Sequence, residues 1–152
     1  MEYRKLGSSD LKVSCIGYGA WGIGGAPFWN SEGHTKSLDS IKKAYDLGIN
    51  FFDTAPVYGF GHSEELIGKA IKPVRDKVII ATKCGLRWDK EALGSIRKDA
   101  SRNSILEEID QSLKRLDTDV IDLYQVHWPD VETEQEETME TLLEIQGKGK
   151  IR

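Results

Sequence analysis

The sequence predicts an α/β fold in which the strands of a parallel sheet alternate with helices. Three observations predict it. Short apolar runs recur four times, each is followed by apolar residues at helical spacing, and ionisable residues gather where the runs end. Chemistry collects at the carboxyl ends of strands both in a (β/α) barrel and in a doubly wound open sheet. The alternation alone leaves both architectures open.

The elements follow in order. Glu2 to Leu6, a Gly7-Ser8-Ser9-Asp10 turn and Leu11 to Val13 predict a small β-hairpin, polar enough to lie outside the main sheet. Val13 to Tyr18 predicts the first strand. After a long glycine-rich loop, Leu38, Ile41, Ala44 and Tyr45 mark a helix that stops at Gly48. The second unit begins with the strand Ile49 to Asp53 and continues through the loop Thr54 to Gly61. Its helix opens near Ser63, with Leu66, Ile67, Ala70 and Ile71 on the apolar face and Glu64 and Glu65 in the first turn, where the helix dipole favours carboxylates. Lys77 to Thr82 predicts the third strand. A long loop then leads to a helix from about Ser101 or Ser104, for which Ser104 and Glu107 offer a capping box and Ile105, Ile109, Leu113 and Leu116 form the stripe. The fourth strand, Val120 to Val126, runs into His127-Trp128-Pro129 and a last helix from roughly Thr133 to Gln146.

With 152 residues the chain has the length of one ordinary domain. Its 21 basic and 25 acidic side chains include no Lys/Arg cluster longer than two, so nothing in the charge pattern suits a nucleic-acid backbone. Glu132, Glu134, Glu136, Glu137, Glu140 and Glu144 share their stretch with Met139, Leu142 and Leu143 at helical spacing, which predicts a solvated helix face rather than a cation site. The charged start Met1 to Lys5 and the shortness of the longest aliphatic run, Val78 to Ala81, predict a cytoplasmic protein with no membrane partner. Cys15 and Cys84 have no spacing that suits a metal or a disulfide framework, so free thiols are expected; the ammonium of Lys83 beside Cys84 favours thiolate, but an inert, partly buried cysteine is the favoured reading.

Asp53, Tyr58, Lys83 and His127 fall at or just past the ends of successive strands. Together they suit proton delivery to a carbonyl. A tyrosine hydroxyl, with an ordinary pKa of ~10, becomes a better acid beside an ammonium that stabilises the phenolate. Asp53 would anchor the ammonium of Lys83, and His127 could hydrogen-bond the substrate oxygen and steady its developing charge. Gly17-Tyr18-Gly19-Ala20-Trp21-Gly22 matches the dinucleotide pattern G-x-G-x-x-G, but no helical stripe can start within Ile23 to Asn30. These glycines are read instead as a strand-to-helix loop at the mouth of the site, with Trp21 as a wall of the substrate pocket. Trp88 and Trp128 are expected to complete that aromatic wall.

Several segments together resemble the aldo-keto reductase family: Ile16 to Trp21, Asn50 to Ala55 with Tyr58-Gly59, Ser63 to Gly68, Ile80 to Lys83, Ser112 to Leu116 and Asp119 to Pro129. The look of Val57-Tyr58-Gly59 and of His127-Trp128-Pro129 is similar to bacterial, NADPH-preferring reductases related to general stress proteins. The resemblance implies a (β/α)8 TIM barrel of which residues 1–152 supply the hairpin, 1–13, and about four βα units, 13–152, an incomplete single domain. It implies Tyr58 as general acid, Asp53 and Lys83 as its tuning pair and His127 as the group that positions the carbonyl. It further implies NADPH, with NADH the less favoured cofactor, held in part by Gly19, Ala20, Trp21 and Asp53, and a small carbonyl substrate, with no metal.

A (β/α)8 domain usually takes ~250 residues, and half a barrel leaves its first and fourth strands with unpaired edges. The chain is therefore expected to need a C-terminal half-barrel, or self-association, and to be inactive without it. The alternative is a non-enzymatic cofactor-binding or regulatory subunit, as in potassium-channel β subunits of the same fold.

Overall fold

The computed structural model describes residues 1–29 and 34–152. Strands β1 (Tyr3–Lys5) and β2 (Lys12–Ser14) form an antiparallel hairpin separate from the main sheet. The main sheet holds β3 (Tyr18–Gly19), β4 (Phe51–Asp53), β5 (Ile79–Cys84) and β8 (Leu123–Val126), all parallel and side by side in chain order. Between them run helices α1 (His34–Asp46), α2 (His62–Ile71) and α3 (Arg102–Leu116), and α4 (Gln135–Gly147) follows β8. An open doubly wound sheet reverses its strand order at a switch point. Here the order never reverses, and a further parallel bridge joins Ile121 to Ile151. Those are the features of a barrel segment.

The period of two along each strand divides the side chains. Phe52, Ile80, Thr82 and Cys84 are buried toward the helices, where they meet Ile41 and Ala44 of α1, Ile67 and Ile71 of α2, and Ile105 and Ile109 of α3. Phe51, Ile79 and Leu123 lie on the other, concave face and are only half-buried. Lys83 belongs to this second set, which aims it into the bowl.

Several boundaries differ from expectation. Val13 belongs to the hairpin, leaving a first sheet strand of two residues. The long loop after β5 contains an antiparallel ribbon of β6 (Leu86–Arg87) and β7 (Arg97–Lys98), too short to carry any periodicity. The expected capping box is absent: Ser101 is the N-cap of α3, Ser104 bonds Glu108 at 3.1 Å, and Glu107 pairs with Arg87 at 2.8 Å. Glu64 does more than complement a helix dipole. It is fully buried and takes hydrogen bonds from Thr82 Oγ1 and Arg115 Nε, both 2.6 Å, tying α2 to β5 and α3. On α4 the buried face is Thr138, Thr141 and Ile145, while Met139 and Leu143 point outward. Thr138 wins a buried place because its hydroxyl donates to Ala100 O at 3.0 Å. The part of the first glycine-rich loop at Asn30 lies outside the described residues.

Candidate active site

Each of the four expected residues sits on the rim formed by the strand ends. Asp53 closes β4, Lys83 is the penultimate residue of β5, and His127 follows β8, its backbone N–H extending the ladder to Cys84 O at 2.9 Å. Tyr58 comes from the loop between β4 and α2. That loop is held from below by a buried chain of hydroxyls: Thr54 Oγ1 lies 2.9 Å from Ser63 Oγ, which donates to Ala20 O at 2.8 Å. From above, the glycine-rich loop presses on it. A Cβ on Gly59, whose φ is +62°, would stand 2.0 Å from Gly24 O, and one on Gly24 would stand 2.8 Å from the Tyr58 carbonyl carbon. Two backbones therefore touch where only glycines permit it, and Tyr58 is pinned beside the contact.

Lys83 spends all three of its N–H bonds close by. Nζ donates to both oxygens of Asp53 at 2.9 Å and to Thr54 O at 2.8 Å. The lysine side chain is 12% exposed and the aspartate 36%. Its ammonium also stands 5.0 Å from the centre of the Tyr58 ring, so it acts on the phenol through its field rather than by a donated hydrogen bond. The His127 ring meets Tyr58 edge to face, centroids 5.7 Å apart. Burial, then the charge of Lys83, hold the His127 imidazole down to about 4 against a smaller opposing pull from Asp53. At neutral pH it is uncharged and keeps one N–H to donate.

Tyr58 and His127 open into a hollow of about 680 Å³ walled by Trp21, Phe28, Val57, Leu86, Ile96 and Trp128, with Arg97 and Lys98 at its edge; Lys83 and Asp53 stand behind Tyr58 and do not line it. Trp21 lines the hollow, half exposed, with its ring centre 6.3 Å from that of Tyr58. Trp128 also lines the hollow. Trp88 does not: it stacks on Phe60, centroids 5.4 Å apart, and faces a separate cleft with Pro56, Glu108 and Arg115. The ribbon turns it away from the bowl, an outcome its sequence neighbours did not signal. Gly19 and Ala20 lie beside Asp53, with Gly19 paired in register to it and Ala20 N donating to Asp53 O at 2.8 Å. No helix opens within the G-x-G-x-x-G stretch, where only a 3-10 turn, Gly22–Gly24, forms. A larger hollow lies beyond that turn, among Ala26, Ser40, Phe60 and Glu65, and none of the four rim residues lines it.

Sequence reading missed Thr54, whose carbonyl holds Lys83, and the ribbon residues Leu86, Ile96, Arg97 and Lys98. It also missed a buried group behind the rim. Glu108 accepts from Gly85 N with both oxygens, at 3.0 and 3.2 Å, and burial raises its carboxyl to about 7. Beside it Cys84 is 1% exposed, and burial followed by the charge of Glu108 pushes its thiol up to about 12, so it stays protonated.

The aldo/keto reductase family model matches residues 15–152. The chain belongs to the aldo/keto reductase family. It is 49% identical to aldo-keto reductase YhdN of Bacillus subtilis over all of this chain and 45% of that protein. It is 41% identical to the NADH-specific methylglyoxal reductase of Escherichia coli over all of this chain and 50% of the other. Among solved structures, aldo-keto reductase AKR11C1 from Bacillus halodurans superposes with a TM-score of 0.90 at 38% identity, covering the whole chain and 48% of its own length. The structural neighbours are (β/α)8 barrels, and the chain spans about half the length of the curated relatives it matches.

Proposed function

We propose that this chain supplies the catalytic rim of a nicotinamide-dependent reductase acting on aldehyde or ketone carbonyls. The observation that carries this reading is the grouping of Tyr58 and the neutral His127 ring, 5.7 Å apart on the wall of one hollow, with the Lys83–Asp53 pair behind them and its ammonium 5.0 Å from the Tyr58 ring. None of these side chains can give up a hydride, whereas all suit an oxygen that becomes negative when a hydride reaches its carbon. A bound nicotinamide would supply that hydride. Gly19, Ala20, Trp21 and Asp53 are the residues proposed to hold the cofactor, and a Cβ at Gly19 would meet no atom within 4 Å, which leaves that ledge open.

His127 donates its N–H to the carbonyl oxygen and orients it toward Tyr58. As negative charge grows there, Tyr58 releases its proton to the oxygen and the product alcohol forms. The ammonium of Lys83 stabilises the phenolate left behind, and Asp53 keeps that ammonium in place. Trp21 and Trp128 shield the reacting carbon from water. NADPH is the proposed cofactor, and NADH is the alternative to compare, since the Escherichia coli relative is by name NADH-specific. A cytosolic setting is consistent with Cys15 and Cys84, both free.

Because the relatives are about twice as long, turnover is expected only when four further βα units complete the barrel. The test is oxidation of NADPH by a reactive aldehyde, with the chain alone and with a C-terminal half-barrel supplied. Activity should require the second half and fall about 100-fold or more in Tyr58→Phe. Unchanged turnover in Tyr58→Phe would remove the phenol from its role.

A further inference from the structure

Apart from Tyr58 and His127, the hollow is apolar except at its β7 edge. The cations at that edge and behind Tyr58 differ in their partners. Lys83 is matched by Asp53, and Arg97 by Asp89, with Nη1 2.9 Å from Oδ1. Lys98 forms no ion pair among the described residues. The Asp130 carboxylate, which accepts from Ala100 N at 2.9 Å, Glu132 N at 3.1 Å and Thr133 Oγ1 at 2.8 Å, keeps its negative charge and offsets part of that of Lys98 without contacting it as an ion pair. The backbone of Lys98 is placed by its pairing with Leu86 in the ribbon, and its Nζ stands 6.0 Å from the centre of the Trp128 ring, the residue next to His127. A cation with no close ion-pair partner among the described residues thus borders an aromatic-walled hollow beside the Tyr58–His127 pair. Lys98 is exposed at that edge, so solvent screens its field until an apolar ligand fills the hollow and displaces the water, and a few placed polar groups are the usual means of orienting a ligand in an apolar pocket.

We propose that Lys98 makes this site selective for carbonyl compounds that carry a carboxylate at the end remote from the reacting carbon. The inference rests on the reductase reading and names the substrate class for the same site. The carboxylate would take a charge-assisted hydrogen bond from Nζ while the apolar body of the substrate lies against Trp21, Trp128 and Ile96. Arg97, held by Asp89, shapes the edge without adding net charge.

The barrel completed with its C-terminal half and supplied with NADPH should be assayed with 4-formylbenzoate and its methyl ester, which differ in charge far from the aldehyde. The acid should be preferred in kcat/KM. Lys98→Ala should cut the acid-to-ester ratio about tenfold, mainly through KM for the acid. Lys98→Arg should keep most of the ratio, Lys98→Glu should invert it, and added salt should shrink it in the parent protein. An acid-to-ester ratio near one in the parent, or one that Lys98→Ala leaves intact, overturns the assignment. If neither aldehyde is reduced, the reductase reading fails and binding decides the inference. Tryptophan fluorescence titrations with 4-(hydroxymethyl)benzoate and its methyl ester should then show tighter binding of the acid, lost in Lys98→Ala, and equal affinities overturn it.

Discussion

At the scale of single residues, the chemistry depends on which groups are charged. His127 is kept neutral because burial and the nearby ammonium both disfavour a second positive charge, and its titration is displaced from 6.5 to about 4. The consequence for stability has a definite sign. Between those two values the unfolded chain binds a proton that the folded chain refuses, so folding stability declines as pH falls through that window and is unaffected above it. His127→Gln should remove that share of the acid sensitivity, read from melting temperatures at a series of pH values. In the parent protein the His127 ring proton signal in NMR should titrate near 4, and a midpoint near 6.5 would contradict the neutral donor. Asp53, Lys83 and His127 were legible from sequence because a strand end is a local feature. Their ionisation was not, because it depends on the space between β4, β5 and β8.

At the scale of elements, two devices hold the rim. The first is the crossing of the glycine-rich loop over Tyr58-Gly59. Gly59→Ala would drive a Cβ into Gly24 O and force an alanine into a left-handed backbone conformation, so the loops must separate. Turnover of the completed barrel should fall at least about tenfold, because small misplacements of a catalytic group are costly, and a kcat equal to that of the parent would show that the crossing does not position Tyr58. The second device is Glu108, which anchors Gly85, two residues past Lys83, from α3. Its carboxyl is raised above the ordinary 4.5 to about 7, first of all by burial. Across that range the unfolded chain has already lost a proton that the folded chain keeps, so this group's effect on stability becomes less favourable as pH rises toward 7 and then levels off. Glu108→Gln retains an acceptor for Gly85 N and should gain melting temperature over the parent progressively from pH 4.5 to 7. A gain that does not vary with pH would overturn the assignment. The ribbon that places Arg97, Lys98 and Trp88 escaped sequence reading because two-residue strands leave no periodic trace. Trp88 was misplaced for the same reason.

At the scale of the whole molecule, the sheet continues past β8. Ile121 N donates to Lys150 O at 3.0 Å and Arg152 N to Ile121 O at 3.1 Å. Asp122, nearly buried, locks this join, accepting from Arg75 Nη2 at 2.8 Å, Ile80 N at 2.9 Å and Arg152 Nη1 at 3.0 Å. Asp122→Asn would leave Arg75 without its carboxylate and should cost about 3 kcal/mol in urea unfolding of the completed barrel. Amide exchange at Ile121 and Arg152 should quicken in the same variant; undiminished protection would mean that the backbone ladder holds the join alone. On the concave face, Phe51, Ile79 and Leu123 stay half-buried, the arrangement expected of strands that meet a second set of side chains across a barrel interior.

The amino-acid order by itself determined the alternation of strand and helix and placed Asp53, Lys83 and His127 at strand ends. Periodicity and turn residues act between near neighbours, so they can be read along the chain. Only the tertiary structure decided that the strands lie in unreversed order, that Lys83 gives all its hydrogen bonds to Asp53 and Thr54, and that Glu64 is an internal ion-pair partner. The same holds for the ribbon that brings Lys98 to the edge of the hollow. Each of those outcomes depends on contacts between residues far apart in sequence, where burial and packing outweigh local preference.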